Sequence, residues 1–323
     1  MIEEGLVWAY HFDGKGGVRT LSPKEAIEWH GKDGFVWLHF SRDFPDTHTW
    51  LTECADLDLL AVEALMAEET RPRITEMEKG TLLFLRSINL NPGAQPEDMV
   101  SVRVWIEEHR MISVRIRKLI NLDDLRNKFT GGKAPRSVAE LVALITRSVL
   151  GGLEPVIESL EEELDILESA LLERPVNEIQ PRLTVLRNRS MVLRRYLLPQ
   201  RDVVAHLATG QVKWVTKATR PIFIEMVELV TRIIENLDTV RERAGLLHEE
   251  IKNTLSERIN RNMLILALVA AIFLPLNFVT SLLGINVSGI PGADYKFAFW
   301  VVLGALLTVM AVEIIYLKRR KWL

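Results

Sequence analysis

Three rhythms of apolar and polar residues succeed one another along this chain. The front alternates. Leu6–Phe12, Phe35–Phe40, Thr81–Leu90, Val100–Glu107 and Met111–Ile116 are short runs rich in β-branched and aromatic residues, and they read as five strands. Helical stretches at Thr47–Asp56 and Leu59–Ala67 lie between them, so an α/β or α+β domain is expected over residues 1–135. Gly131-Gly132-Lys133-Ala134-Pro135 reads as a break. Residues 137–202 change to helical spacing, with Pro175 between two long segments, as in an αα-hairpin.

Beyond Pro221 the helical period becomes regular. Met226, Leu229, Ile233, Leu237, Val240, Ala244, Leu247, Ile251, Leu255 and Ile259 recur in steps of three and four, the pattern of a helix burying one stripe. The next proline is Pro275, so nothing interrupts a helix from Pro221 to Leu283. Such a rod would be roughly 95 Å long at 1.5 Å per residue, and it needs partners to be stable.

The third rhythm is continuous. Asn262–Leu283 and Phe297–Tyr316 are apolar over about the 20 residues that a membrane-crossing helix requires. The only charge in the second run is Glu313, near its end. Gly284–Lys296, with three glycines and one proline, reads as a tight loop between them. Arg258 and Arg261 precede the first run, and Lys318, Arg319, Arg320 and Lys321 follow the second. By the positive-inside rule both termini are expected in the cytoplasm and the loop outside. The expected organisation is a cytoplasmic α/β domain over 1–135, a cytoplasmic helical hairpin over 136–220, a stalk helix over 221–283 continuing into a first span at 262–283, an outer loop over 284–296, a second span over 297–317, and a basic tail over 318–323.

Composition alters this picture little. Charged residues make up 26% of the chain and hydrophobic ones 48%, an average that hides the charge-free runs. A net charge of −3 gives no reason to expect nucleic acid. Cys54 is the single cysteine, so no intrachain disulfide forms, and the first residues lack the pattern of a secretory signal. No phosphate-binding glycine loop follows a strand, no nucleophile and base assemble into a motif, and the seven histidines lack zinc-site spacing. An enzyme or a prosthetic group is therefore not expected. The helical hairpin separates its charge: Glu154–Glu173 holds acidic residues alone, and Arg182–Arg201 basic residues alone. Pairing along the hairpin is the favoured reading, and an acidic surface that gathers cations is the alternative.

Candidate chemistry lies on the first span. Asn260, Met263, Leu266, Ala270, Leu274, Asn277 and Ser281 are separated by three or four residues and share one face. Polar groups at the depth of Asn277 and Ser281 line a bundle interior or a water-filled path, or they hydrogen-bond between helices. Period alone leaves the two readings equal. One hairpin cannot enclose a pore, so a path requires several copies.

Asn260–Asn286, NRNMLILALVAAIFLPLNFVTSLLGIN, resembles the first membrane helix and signature loop of the CorA superfamily of divalent-cation transporters. Gly284-Ile285-Asn286 stands where that family carries Gly-Met-Asn, a departure at the central residue. Val287–Gly292 and the terminal Lys321-Trp322-Leu323 look like the zinc-transporting branch, ZntB, and Arg71-Pro72-Arg73-Ile74 is similar to the family's cytoplasmic domain. The resemblance implies a homopentameric funnel in the cell inner membrane, with the first spans lining a central pore at Asn260, Met263, Leu266, Ala270, Leu274, Asn277 and Ser281. It implies a selectivity loop of Gly284, Ile285 and Asn286, in which Asn286 meets a hydrated cation. Asp294 is expected to draw cations to the mouth, offset by Lys296. The implied cargo is a divalent cation, zinc foremost, driven by the membrane potential or a proton gradient. A magnesium or cobalt channel of the same fold and a non-conducting membrane-anchored sensor or scaffold are the alternatives.

Overall fold

The computed structural model describes residues 5–31, 33–129, 134–171, 176–285, 290, 292 and 295–319. The five expected strands are present: β1 (Leu6–Phe12), β3 (Phe35–Ser41), β5 (Thr81–Ser87), β6 (Val100–Ile106) and β7 (Arg110–Arg115). Two short ones, β2 (Val18–Thr20) and β4 (Arg73–Glu76), join them. The sheet order is β2-β1-β3-β7-β6-β5-β4. Only β3 and β7 pair in parallel, Trp37 opposite Met111; the other neighbours are antiparallel. Both added strands are edges. Arg19, Thr20, Arg73 and Glu76 keep them exposed, so they lack the apolar alternation that reveals the inner strands.

Each inner strand is buried on both faces, and its alternation divides residues between two helix layers. Val36, Leu38, Phe40, Leu82, Phe84, Ile112 and Val114 form one core with α1 (Pro23–Ile27), α2 (Pro45–Glu53) and α3 (Leu59–Met66), through Ala26, Trp50, Leu51, Val62 and Leu65. The opposite residues, among them Trp37, Leu83, Leu85, Val102 and Val104, are also fully buried. α4 (Ile120–Asn127) packs on α5 (Val138–Gly151), and α5 packs on β5. α6 (Glu154–Ala170) and α7 (Val176–Thr209) complete the helices before the long one, and α7 reaches β4 and β5. Gln200 of α7, buried, accepts a 2.6 Å hydrogen bond from the Arg86 N–H.

Charge pairing differs from the expected antiparallel match of α6 and α7. Glu163 does pair with Arg182 (3.5 Å) and Arg189 (3.4 Å). Asp165 and Glu168 instead take Arg243, at 2.7 and 2.6 Å, and Glu154 takes Arg232 at 3.5 Å. Both arginines belong to α8 (Arg220–Leu283), the 64-residue helix. These carboxylates hold the Arg243 guanidinium pKa above its ordinary value, its hydrogen bonds to Glu168 contributing most. α6 leans on a third helix because the stripe of α8 needs burial: Met226, Ile233, Leu237, Val240, Ala244, Leu247 and Ile251 are all covered. Leu255 and Ile259, next on the same stripe, are exposed.

The chain divides into two units within α8, one ending at His248 and one starting at Glu249. The second holds the rest of α8 and α9 (Ala298–Arg319). Both helices are long and apolar enough to cross a membrane.

Candidate ion-conducting face

Within the second unit each helix has one partly covered side. On α8 these positions are Leu268, Ile272 and Leu276, and on α9 they include Val302, Leu303, Leu306, Met310, Glu313 and Ile314. The α8 set advances by four residues, and the α9 set by three and four apart from two adjacent pairs, so each set occupies one side of its helix. These are the least exposed sides of the two membrane-length helices.

The candidate stripe lies on the other side of α8. At about 100° per residue, every one of its members falls within roughly 60° of the direction opposite Ile272. All seven, Asn260, Met263, Leu266, Ala270, Leu274, Asn277 and Ser281, are exposed, Leu266 at 68% and Leu274 at 69%. The side chains of Asn277 and Ser281 have no hydrogen-bond partner among the described residues; Asn277 engages only its backbone carbonyl, which accepts from Thr280 Oγ1 at 3.1 Å. Within the hairpin, then, neither polar group joins α8 to α9. Pro275, two residues before Asn277, supplies no N–H, yet the helix continues through it.

At the end of α8 the Gly284 N–H bonds back to the carbonyls of Thr280 (2.9 Å) and Ser281 (3.2 Å). Its φ lies outside the left-handed region, so this turn does not depend on glycine's backbone freedom. A Cβ there would stand 3.1 Å from the Thr280 carbonyl, so close packing is what favours glycine. Ile285 is exposed. Asn286 and Asp294 lie outside the described residues.

Aromatic residues at the ends of α9 add a feature that a search for ionisable groups overlooks. Tyr295, Phe297, Phe299 and Trp300 are exposed at one end and Tyr316 at the other, the girdle expected where a helix meets the two membrane surfaces. Glu313, near the end of α9, has a shielded Oε2 with no hydrogen-bond partner among the described residues.

In the first unit the described residues hold no group of three or more His, Cys, Asp or Glu that could bind a metal. His11 and His109 contact the backbone carbonyls of Asp33 and Gly34, both at 2.9 Å, and His206 lies 3.4 Å from Glu76. His39 is completely buried. It stacks on Trp8 with ring centroids 3.9 Å apart, and its Nδ1 lies 2.7 Å from Ser113 Oγ. Burial, followed by the nearby charges of Arg115 and Arg126, holds its pKa well below 6.5.

Comparison with known proteins agrees with this architecture. Residues 32–319 match the family described as CorA-like Mg2+ transporter protein. The chain is 37% identical to the divalent cation transporter CmaX of Pseudomonas aeruginosa, over 99% of this chain and 98% of that one. It is 34% identical to the zinc transport protein ZntB of Pectobacterium carotovorum, over 99% and 96%. The structure of full-length CmaX superposes with a TM-score of 0.82 at 36% identity, covering 97% of this chain and 98% of that one. The CorA magnesium transporter of Methanocaldococcus jannaschii, 20% identical, shares the fold with a TM-score of 0.82 over 98% and 99% of the chains. The chain belongs to the CorA-like family, a family of membrane transporters and not of enzymes.

Proposed function

We propose that five copies of this chain gather their α8 helices around a common axis in the cell inner membrane and pass divalent cations, zinc foremost, along the stripe from Asn260 to Ser281. The observation that carries this reading is the position of that stripe. It is the face of α8 opposite the partly covered Leu268, Ile272 and Leu276, and it offers two polar side chains without a hydrogen-bond partner among the described residues. Against lipid such groups are costly, and around a shared axis they contact water and ions. Met263 and Leu274 would then form apolar rings able to close the path by dewetting.

Zinc is supported by the similarity to ZntB along nearly the whole chain. The stripe has no cysteine or histidine, the ligands that hold zinc tightly. Weak contact suits conduction, because an ion must also leave. Asn286 at the outer mouth would hydrogen-bond the waters of a hydrated cation, with Asp294 attracting it. The same chemistry suits magnesium, which sheds water reluctantly, so a magnesium or cobalt channel is the second reading. The basic flanks support a topology with both termini in the cytoplasm.

The test is flux into liposomes that contain the purified protein, comparing zinc, magnesium and cobalt with and without a pH gradient. Zinc uptake that the gradient accelerates is expected. Uptake of magnesium without zinc would replace the first reading with the second, and a monomer in mild detergent would remove the shared path.

A further inference from the structure

A cavity of about 770 Å³ opens in the N-terminal unit where the ends of β3 and β6, the loop before β6 and the middle of α7 meet. Its lining carries arginines that lack carboxylate partners. Arg103 is only 1% exposed. Its guanidinium donates to backbone carbonyls alone: Leu65 at 2.9 Å, Ala67, and Glu68 at 3.0 Å. Arg86 likewise donates to the carbonyls of Thr70 and Met99, and it sits 4.8 Å over the ring of Tyr196. Arg195 lies over the same ring at 5.0 Å and donates to its hydroxyl at 3.2 Å. Arg117 is exposed at the edge. Among the described residues no carboxylate lies within ion-pair distance of these four.

Acidic residues also line the cavity, but at its exposed rim or already engaged. Glu97 pairs with Arg189 at 3.0 Å through one carboxylate oxygen, the other being shielded and without a hydrogen-bond partner among the described residues, and Glu68 reaches only Arg42, at 3.6 Å. Asp43 accepts from Ser41 Oγ at 3.3 Å. Glu69 and Asp98 stand exposed. The floor is therefore basic beneath an acidic rim. Carbonyl dipoles satisfy hydrogen bonds but leave the net charge of a guanidinium in place, and a buried uncompensated charge is costly. The titration of Arg103 reflects this: burial first, then Arg42 and Arg86, pull its pKa down to about 10.

We propose that this cavity binds a phosphate-class oxyanion, either inorganic phosphate or the phosphate of a nucleotide, received by Arg117 and Arg195 above the charge of Arg86 and Arg103. Guanidinium forks match the geometry of such oxyanions. The site is separate from the membrane stripe and does not depend on which cation is carried.

The test uses the full-length protein in detergent, free of divalent cations. Thermal unfolding and calorimetric titration are followed with potassium phosphate and with ATP, against potassium chloride at equal ionic strength. Saturable stabilisation by phosphate and none by chloride is expected, and tighter binding of ATP would identify the nucleotide as the source. Arg117→Gln and Arg195→Gln should each weaken binding by about tenfold or more, the usual scale for a lost charge-assisted contact. Arg117 is exposed and forms no ion pair, so its replacement leaves the fold intact. Arg201→Gln, which removes a surface pair with Asp202, should bind as the parent does. Absence of a saturable response, or the same response in Arg117→Gln and Arg195→Gln as in the parent, would overturn the proposal.

Discussion

His39 makes the stability of the N-terminal unit depend on pH, with a sign and a size that follow from its surroundings. It lies in the middle of β3, fully buried, between the ring of Trp8 and the hydroxyl of Ser113. Its Nε2 has no partner among the described residues. A proton there would place a charge in an apolar core that already faces Arg115 and Arg126. The folded pKa is thus depressed below the unfolded value of 6.5. Above pH 6.5 both states are neutral and the full stability is present. Below it the unfolded chain binds a proton that the folded chain refuses, and stability falls by about 1.4 kcal/mol per pH unit until the folded pKa is reached. Because the unfolded histidine is already half protonated at pH 6.5, acidification from pH 6.5 to 5.5 should remove about 1 kcal/mol through this residue, or about 3 °C of melting temperature for a unit of this size. The assay is thermal unfolding read by tryptophan fluorescence, because Trp8 and Trp37 adjoin the histidine. His39→Phe keeps an aromatic ring on Trp8, while Ser113 still accepts from Trp37 Nε1 at 2.7 Å. The variant should show a shallower acid slope by that amount. An unchanged slope would refute the assignment of the proton to His39.

Four further outcomes are expected. Leu274→Ser should raise the basal ion leak of reconstituted protein; unchanged leak at equal incorporation would place Leu274 against lipid or protein. Arg243→Gln breaks its pairs with Asp165 and Glu168 and should cost about 1 kcal/mol in thermal unfolding, as partly exposed pairs do, whereas Arg187→Gln, at a position with no ion pair among the described residues, should cost nothing measurable. Ser288→Cys should react with an impermeant thiol reagent added outside intact cells while a cysteine near the C-terminus does not, and the reverse pattern would invert the topology. Asn286→Ala should abolish cation uptake with the oligomer intact; a variant that loses only the roughly 1 kcal/mol of a helix cap and transports normally would reduce Asn286 to a structural role.

The inner strands were legible because each is buried on two faces and therefore dense in apolar residues. β2 and β4 were not, and the reason is their place in the sheet. An edge strand is kept short and charged to discourage pairing with other chains, so it carries little of the signal that marks a strand. The charge pattern of α6 and α7 was read correctly as pairing but with the wrong principal partner. Sequence shows that two arms carry opposite charge. It does not show that α8, whose stripe must also be buried, brings Arg232 and Arg243 to the same carboxylates. The arginine-lined cavity had no signal at all, since its residues come from β5, β6, α7 and the connections that follow β3, α3 and β7 or precede β6.

The membrane stripe shows where the period of a sequence stops being informative. Steps of three and four place Asn277 and Ser281 on one face, but the same steps describe a face packed on α9, a face in lipid and a face on water. Geometry removes the first of these. Leu268, Ile272 and Leu276 occupy the partly covered side of α8, and the polar pair lies opposite. Lipid does not suit the pair, because an amide and a hydroxyl at that depth forfeit their hydrogen bonds to water without finding others in the hairpin. The remaining surroundings are other copies of the chain and the water between them. Each polar residue thus argues for assembly independently of family resemblance, and in the proposed pore the apolar Met263, Leu266 and Leu274 on the same face would border a water column that dewetting can interrupt.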